Sequence, residues 1–410
     1  MGSDLKNRII FTIFILSVYR LGTYIPLPGI DAQALQSLMA SNQRGLVGMF
    51  NIFSGGAVSR MAIFALGIMP YISSSIIIQL LTGVSETFKN LKNQGEIGRK
   101  KITQYTRYGT VLLATVQGYG VSVGLENSGT VVVDPGFYFK LTTVISLVAG
   151  TIFLMWLGEQ ITQRGIGNGI SLIIFSGIVA EIPRALASTF ELGRTGALSA
   201  STILLIFALV VFTVVFIVFI ERAIRKILIN YPRRQMGTKI YGGESSHLPL
   251  KINTAGVIPA IFASALLLLP MTFTNFGFSD SETFIDFSSL FSQGKPLYML
   301  LYASGIIFFS FFYTSIVFNP KETAENLRKH GGYVPGVRPG ERTAYFIEDI
   351  LTKLTTIGAA YLTLVCLMPE FLISKYPIPF YLGGTSVLIV VVVAMDTVSQ
   401  VQTRLMSQQY

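Results

Sequence analysis

The chain alternates long apolar stretches with short polar connectors. Ten stretches are long enough, or nearly so, to be membrane-spanning helices: 9–25, 61–81, 105–125, 137–157, 166–182, 198–220, 254–276, 297–318, 345–368 and 380–395. A spanning helix needs about 20 apolar residues to cross a hydrocarbon core of about 30 Å. The fifth stretch has the weakest pattern, because it is short and opens in the polar, Gly-rich run Gly165-Ile166-Gly167-Asn168-Gly169. One region breaks the pattern. From Met49 to Leu81 the chain reads MFNIFSGGAVSRMAIFALGIMPYISSSIIIQLL. Its apolar start stops at Ser54-Gly55-Gly56, polar Ser59 and Arg60 follow, and the next apolar run carries Pro70 and Ser73 to Ser75. In a bilayer, irregular backbone is tolerated only inside protein or beside a water-filled cavity. The break therefore implies a pathway, with a short half-helix before it and a span after it.

Composition supports the membrane reading. Of 410 residues 51% are hydrophobic and 13% charged, against about 25% charged in soluble domains. The net charge of +10 matters through its placement. With ten spans, the even-numbered loops hold most of the loop Lys and Arg, notably Lys89, Lys92, Arg99 to Lys101, Arg222, Arg225, Lys226, Lys321, Lys329 and Arg338, whereas the odd loops hold few, such as Arg44, Arg60, Arg184 and Arg194. The positive-inside rule puts the even loops and both termini in the cytoplasm. The first apolar stretch is followed by Leu27-Pro28-Gly29 and not by a small-x-small cleavage site, so a removed signal peptide is not expected. Cys366, the one cysteine, lies in an apolar run and reads as a small buried residue.

Catalytic chemistry has little to stand on. The stretches hold few ionisable groups, among them Arg20, Glu348, Asp349 and Lys353 near ends, with Asp396 at the end of the last. His247 and His330 both fall in loops. Neither a nucleophile–base pair nor a metal motif emerges, so no enzyme, metal or cofactor is expected. A small-solute carrier is the alternative class, but such proteins keep charged relay groups at mid-membrane. In their place stand Ser73, Gln117 and Asn253, uncharged polar residues that either glue helices together or mark a seam where helices part. Ile68 and Ile72 flank Pro70 four residues apart, on one helix face. Ile170 and Ile174 repeat the spacing. Ile261 follows Val257-Ile258-Pro259-Ala260, and Ile389 follows Gly383-Gly384. Isoleucine in a membrane helix is ordinarily packing or lipid contact, and spacing does not reveal whether these six converge. A converging set would form a dewetting constriction. The sixth loop, 221–253, and the eighth, 319–344, are basic and punctuated by Gly and Pro. Tyr333-Val334-Pro335-Gly336-Val337-Arg338-Pro339-Gly340 holds Arg338 at the tip of a turn. A rigidly presented Arg suits docking to phosphate or carboxylate.

Longer strings carry a resemblance. FSGGAVSRMAIFALGIMPYISSSIIIQLLT, GEIGRKKITQYTRYGT, FLMWLGEQITQRGIGNGISLIIF, HLPLKINTAGVIPAIFAS, FNPKETAENLRKHGGYVPGVRPGERTA and PFYLGGTSVLIVVVVAMD are similar to the SecY family, the channel-forming subunits of the bacterial protein translocase. The resemblance runs over essentially the whole chain. It implies an all-α polytopic membrane protein of ten helices. Two pseudo-symmetric halves, 1–182 and 183–410, would clamp an hourglass pore. It further implies a pore ring of Ile68, Ile72, Ile170, Ile174, Ile261 and Ile389. A plug at about 47–59 would include Phe50, Phe53, Ser54, Gly55 and Gly56. A lateral gate, spans two and three against seven and eight, would carry Ser73, Gln117 and Asn253. Arg234, Lys239, Lys321, Lys329 and Arg338 would be docking residues. Thr238 departs from the family, which often has Arg there. The implied activity is translocation of unfolded secretory polypeptides across the cytoplasmic (inner) membrane and lateral release of transmembrane segments into lipid. The implied partners are SecE and SecG subunits, the SecA ATPase, the ribosome, signal sequences and nascent polypeptides, and membrane lipids, with no DNA. No P-loop is evident, so the driving energy would come from a partner.

Overall fold

The computed structural model describes residues 3–41, 51, 53–127, 129, 131–196, 199–231, 234–236, 239–241, 245–274, 295–375 and 384–407. Their helices are α1 (Ser3–Gly22), α2 (Ala32–Ser41), α3 (Met69–Val84), α4 (Glu86–Asn93), α5 (Glu96–Asn127), α6 (Phe137–Arg164), α7 (Gly169–Arg194), α8 (Ala200–Arg222), α9 (Ile258–Thr274), α10 (Pro296–Val317), α11 (Pro320–Lys329), α12 (Glu341–Lys375) and α13 (Gly384–Ser407). Each of the ten apolar stretches overlaps a helix among the described residues. Six helices among the described residues, α6, α7, α8, α10, α12 and α13, are long and apolar enough to cross a membrane, and α3 and α9 are shorter apolar helices.

Helix starts follow local chemistry. Asn168 caps α7, its Oδ1 accepting from Ile170 N at 3.1 Å. Asn319 caps α11 in the same way through Glu322 N at 3.4 Å. These side chains satisfy amide donors that a helix start leaves free. The expected second span is shorter than its apolar run. Residues 54–67 form successive turns with one isolated bridge, and regular helix begins only at Met69. Three local causes act together. Met61 has φ 42° and Gly67 has φ 56°, both left-handed. Pro70 favours the first helical turn, where its missing N–H costs nothing. The backbone of 61–63 bonds elsewhere: Leu27 N donates to Met61 O at 2.9 Å, and Ile63 N to Ile25 O at 3.0 Å. The fifth stretch departs in the other direction. It continues past Ile182, through Pro183, to Arg194.

Helices pack in pairs, α3 with α5, α5 with α6, α9 with α10 and α10 with α12. The earlier helices meet the later ones along two lines. On one, α9 lies against α3 and α5; on the other, α13 lies against α7. The sixth loop, read from sequence as basic and punctuated by Gly and Pro, contains two hairpins. β1 (Ile224–Asn230) pairs antiparallel with β4 (Ser245–Lys251), from Ile224 opposite Lys251 to Asn230 opposite Ser245. Between them β2 (Arg234–Met236) pairs with β3 (Lys239–Tyr241).

Candidate functional site

Five of the six isoleucines come together. Ile68, Ile72, Ile174, Ile261 and Ile389 are buried in one apolar cluster, and half-buried Ile170 packs against it. Four elements deliver them. Ile68 sits just before α3 and accepts, through its carbonyl, the N–H of Ile72 at 3.1 Å, so the two stack one turn apart. α7 supplies Ile170 and Ile174, α9 supplies Ile261 and α13 supplies Ile389. Gly384 lets α13 in: a Cβ there would collide with the Val365 carbonyl of α12. Gly158 does the same for Ile170, whose Cγ1 would lie 3.2 Å from an added Cβ. β-branched side chains are stiff about χ1, so the surface they make has a fixed relief without any polar partner.

The break in the second stretch abuts this cluster. Phe53 is buried within it. Ser54, Gly55 and Gly56 are buried too, whereas Phe50 lies outside the described residues. Gly55 and Gly56 have φ 65° and 82°, a region that side chains with a Cβ rarely occupy. The turn is closed by Asn51. Its backbone carbonyl accepts from Gly56 N at 2.7 Å and from Ser54 Oγ at 3.1 Å, and its Oδ1 accepts from Ser59 N at 2.8 Å.

The three polar residues expected to form a seam occupy separate places. Ser73 is buried on α3 and Gln117 on α5. The Oε1 of Gln117 is a buried acceptor with no hydrogen-bond partner among the described residues. Asn253 is buried just before α9, and its Nδ2 donates to Glu221 Oε1 at 2.6 Å and to Gly256 O at 3.1 Å. No described hydrogen bond joins any two of the three. Ser73 and Gln117 do lie on α3 and α5, the two earlier helices that pack against α9.

The expected docking residues are dispersed along the two basic loops. Lys321, Lys329 and Arg338 are exposed. Arg234 and Lys239 lie in β2 and β3, face to face across that hairpin's register with Tyr241 and Met236. What sequence reading missed is that the two loops form one body. Asn230 and Tyr333 exchange backbone hydrogen bonds of 2.9 and 3.0 Å. Beneath them Ile227 and Leu250 of the ribbon, Val334 of the eighth loop and Ile347, Leu351 and Leu354 of α12 share one apolar cluster. Arg338 projects from this body with both flanks fixed. Val337 N bonds Val334 O at 3.1 Å, and Thr343 Oγ1 donates to Arg338 O at 2.9 Å.

The profile of the SecY family matches residues 62–398. The chain belongs to the SecY family. Proteins named protein translocase subunit SecY are 56% identical to it, from Rickettsia conorii over 413 residues, covering 100% of this chain and 95% of the relative, and from Escherichia coli K12 over 412 residues, covering 99% and 93%. The fold is that of solved SecY and Sec61 channels. A protein-conducting channel matches at TM-score 0.70 and 17% identity, covering 98% of this chain and 93% of the other. A SecY whose plug domain stabilises the closed state of the translocation channel matches at 0.69 and 19%, with the same coverage. Sec61 from the canine ribosome–channel complex matches at 0.67 and 16%, again with that coverage.

Proposed function

We propose that this SecY-family chain is the channel-forming subunit of a bacterial protein translocase. It conducts unfolded secretory polypeptides across the cytoplasmic membrane and releases transmembrane segments sideways into lipid. The observation that carries this reading is one apolar cluster holding Ile68, Ile72, Ile174, Ile261 and Ile389 with Phe53 against them, in a chain 56% identical to translocase subunits along its whole length. In this reading ten helices span the bilayer, in halves 1–182 and 183–410, with both termini and the basic loops in the cytoplasm. The isoleucines form the ring of an hourglass pore. Residues 47–59 form the plug on its external side.

The ring works because it has no polar partner to offer. An apolar gasket accepts any side chain of an extended polypeptide, and it excludes ions by dewetting when nothing fills it. An apolar segment held there gains about 0.3 to 0.6 kcal/mol per Leu, Ile, Phe or Val on entering lipid at helix centre. Its exit lies between α3 and α5 on one side and α9 and α10 on the other, past Ser73, Gln117 and Asn253. Driving force comes from outside the chain. SecA or a ribosome pushes from the face bearing Arg234, Lys239, Lys321, Lys329 and Arg338, and SecE and SecG complete the assembly. A solved neighbour, Sec61, belongs to a ribosome–channel complex, which supports the ribosome as a partner.

Conductance of the purified chain in a planar bilayer tests the ring. Exchanging Ile68, Ile170, Ile174 and Ile389 together for Gly is expected to leak ions through the resting channel. Current that stays at background overturns the ring assignment. Arg338→Glu is expected to impair SecA-dependent export of a secretory substrate into vesicles while ribosome-free, unstimulated conductance is unchanged. Unimpaired export removes Arg338 from the docking face.

A further inference from the structure

Two cations converge on the turn beside the ring. Arg20, in the last turn of α1, donates from Nη1 to the Gly55 carbonyl at 2.8 Å. Arg60 donates from Nη2 to the same oxygen at 3.1 Å. Both guanidiniums also engage Tyr24. The Arg60 carbon Cζ stands 4.1 Å from the ring centroid and that of Arg20 5.5 Å. Arg20 reaches the Tyr24 hydroxyl as well, at 3.4 Å. The second edge of Arg60 is anchored: Nε donates to the Thr23 carbonyl, just past α1, at 3.2 Å. A planar fork can hold two such acceptors at once, whereas an ammonium is a single point.

The third side of the turn is α7. A Cβ built on Gly177 would lie 3.1 Å from the Phe53 carbonyl, 3.2 Å from Gly55 N and 3.0 Å from the Tyr19 hydroxyl. The turn therefore rests directly on bare backbone. Glu181, one helical turn further along α7, lies beside Gly56: a Cβ there would meet its Oε1. That carboxylate adds a counter-charge where two cations crowd one neutral acceptor.

We propose that Arg20 and Arg60 are positioning residues that keep the plug seated, a two-guanidinium clamp on the Gly55 carbonyl footed on Tyr24, with Gly177 as its seat. The inference rests on the plug reading above and deepens it. Because both donors share one oxygen, a rotation that withdraws this oxygen breaks both bonds together. Release is then all-or-none, and Phe53 leaves the isoleucine cluster in the same movement. The acceptor is main chain, so the clamp makes its demand at the two arginines and at the glycines, not at any plug side chain.

The test is the resting conductance of the full chain in planar bilayers, with a deletion of residues 51–59 as reference. Losing one charge-assisted hydrogen bond shifts a two-state equilibrium about tenfold or more. Arg20→Gln and Arg60→Gln are each expected to raise the resting open fraction by at least that factor. Arg60→Lys keeps the charge but not the fork, and is expected to raise it less. Gly177→Ala is expected to raise it with both arginines intact. In the deletion background Arg60→Gln is expected to add nothing, an epistasis that a merely structural arginine would not show. If the deletion leaks while the arginine and Gly177 variants stay at the parent level, the clamp is overturned and the plug reading stands. If the deletion itself is silent, the plug reading fails.

Discussion

The turn at Ser54–Gly56 and the isoleucine cluster touch through Phe53, yet they are held by opposite means. The cluster is held by volume alone. Its isoleucines come from α3 and the residue just before it, α7, α9 and α13, and their side chains have no directional bond to make. The turn is held by direction alone. Donors at Arg20, Arg60 and Ser59 meet acceptors at Gly55, Gly56 and Asn51 at set distances, around glycines that supply φ values few residues adopt. Apolar packing tolerates exchange of one hydrocarbon for another and relaxes continuously. A hydrogen-bonded turn is either made or broken. A gasket that must admit every side chain suits the first kind of bonding, and a stopper that must be in or out suits the second.

The contrast breaks most visibly in the cluster. Ile389 is fully buried, and Ile389→Ala is expected to cost about 2–5 kcal/mol, read as a lower midpoint of thermal unfolding in detergent. An unchanged midpoint would show that the cluster is already loose. Next comes Gly56→Ala. A Cβ at φ 82° is expected to cost about 1–2 kcal/mol, and crowding by Glu181 adds to it. Hydrogen exchange of the Ser59 amide should speed accordingly, and unaltered exchange would mean that the turn is not strained by side chains. Ile174→Val, a loss of volume without a change of chemistry, is expected to cost about 0.5–1.5 kcal/mol in the same unfolding assay, with the Ser59 amide untouched. Smallest is Asn51→Ala, which removes one acceptor from Ser59 N and is expected to cost about 1 kcal/mol or less. Asn51→Asp keeps that acceptor and should restore slow exchange. If Asn51→Asp behaves like Asn51→Ala, direction is not what holds the turn.

Sequence reading reached the helices because an apolar run of about 20 residues is a strong local signal. It reached the broken second stretch for the same reason, since Gly-Gly and Pro are local punctuation. It overextended that stretch to Met61 because the bonds of 61–63 to 25–27 join distant segments, which no local period records. The isoleucines were legible as residues and not as a set, since convergence is made by four elements. The β1–β4 ribbon carried a faint signal. Ile227 and Ile229 alternate with exposed Lys226 and Leu228, but Pro249 in β4 argues against a strand, and the pairing runs across intervening residues. Arg20 and Arg60 offered the clearest missed signal. A cation in or beside an apolar stretch is a site by default, yet the shared acceptor on Gly55 appears only when the turn is folded back on α1.

The bridge between Asn230 and Tyr333 bears on how the protein is made. Its two sides are separated by α9 and α10, so neither side can complete it while the ribosome is still building those helices. Ile227 and Leu250 of the ribbon pack on an apolar floor, Val334 with Ile347, Leu351 and Leu354, that is made later still. A half-synthesised chain thus has basic hairpins but no firm platform beneath them. Maturity is written into the order of emergence: the face that would receive a partner becomes rigid only after most of the membrane-embedded chain already exists.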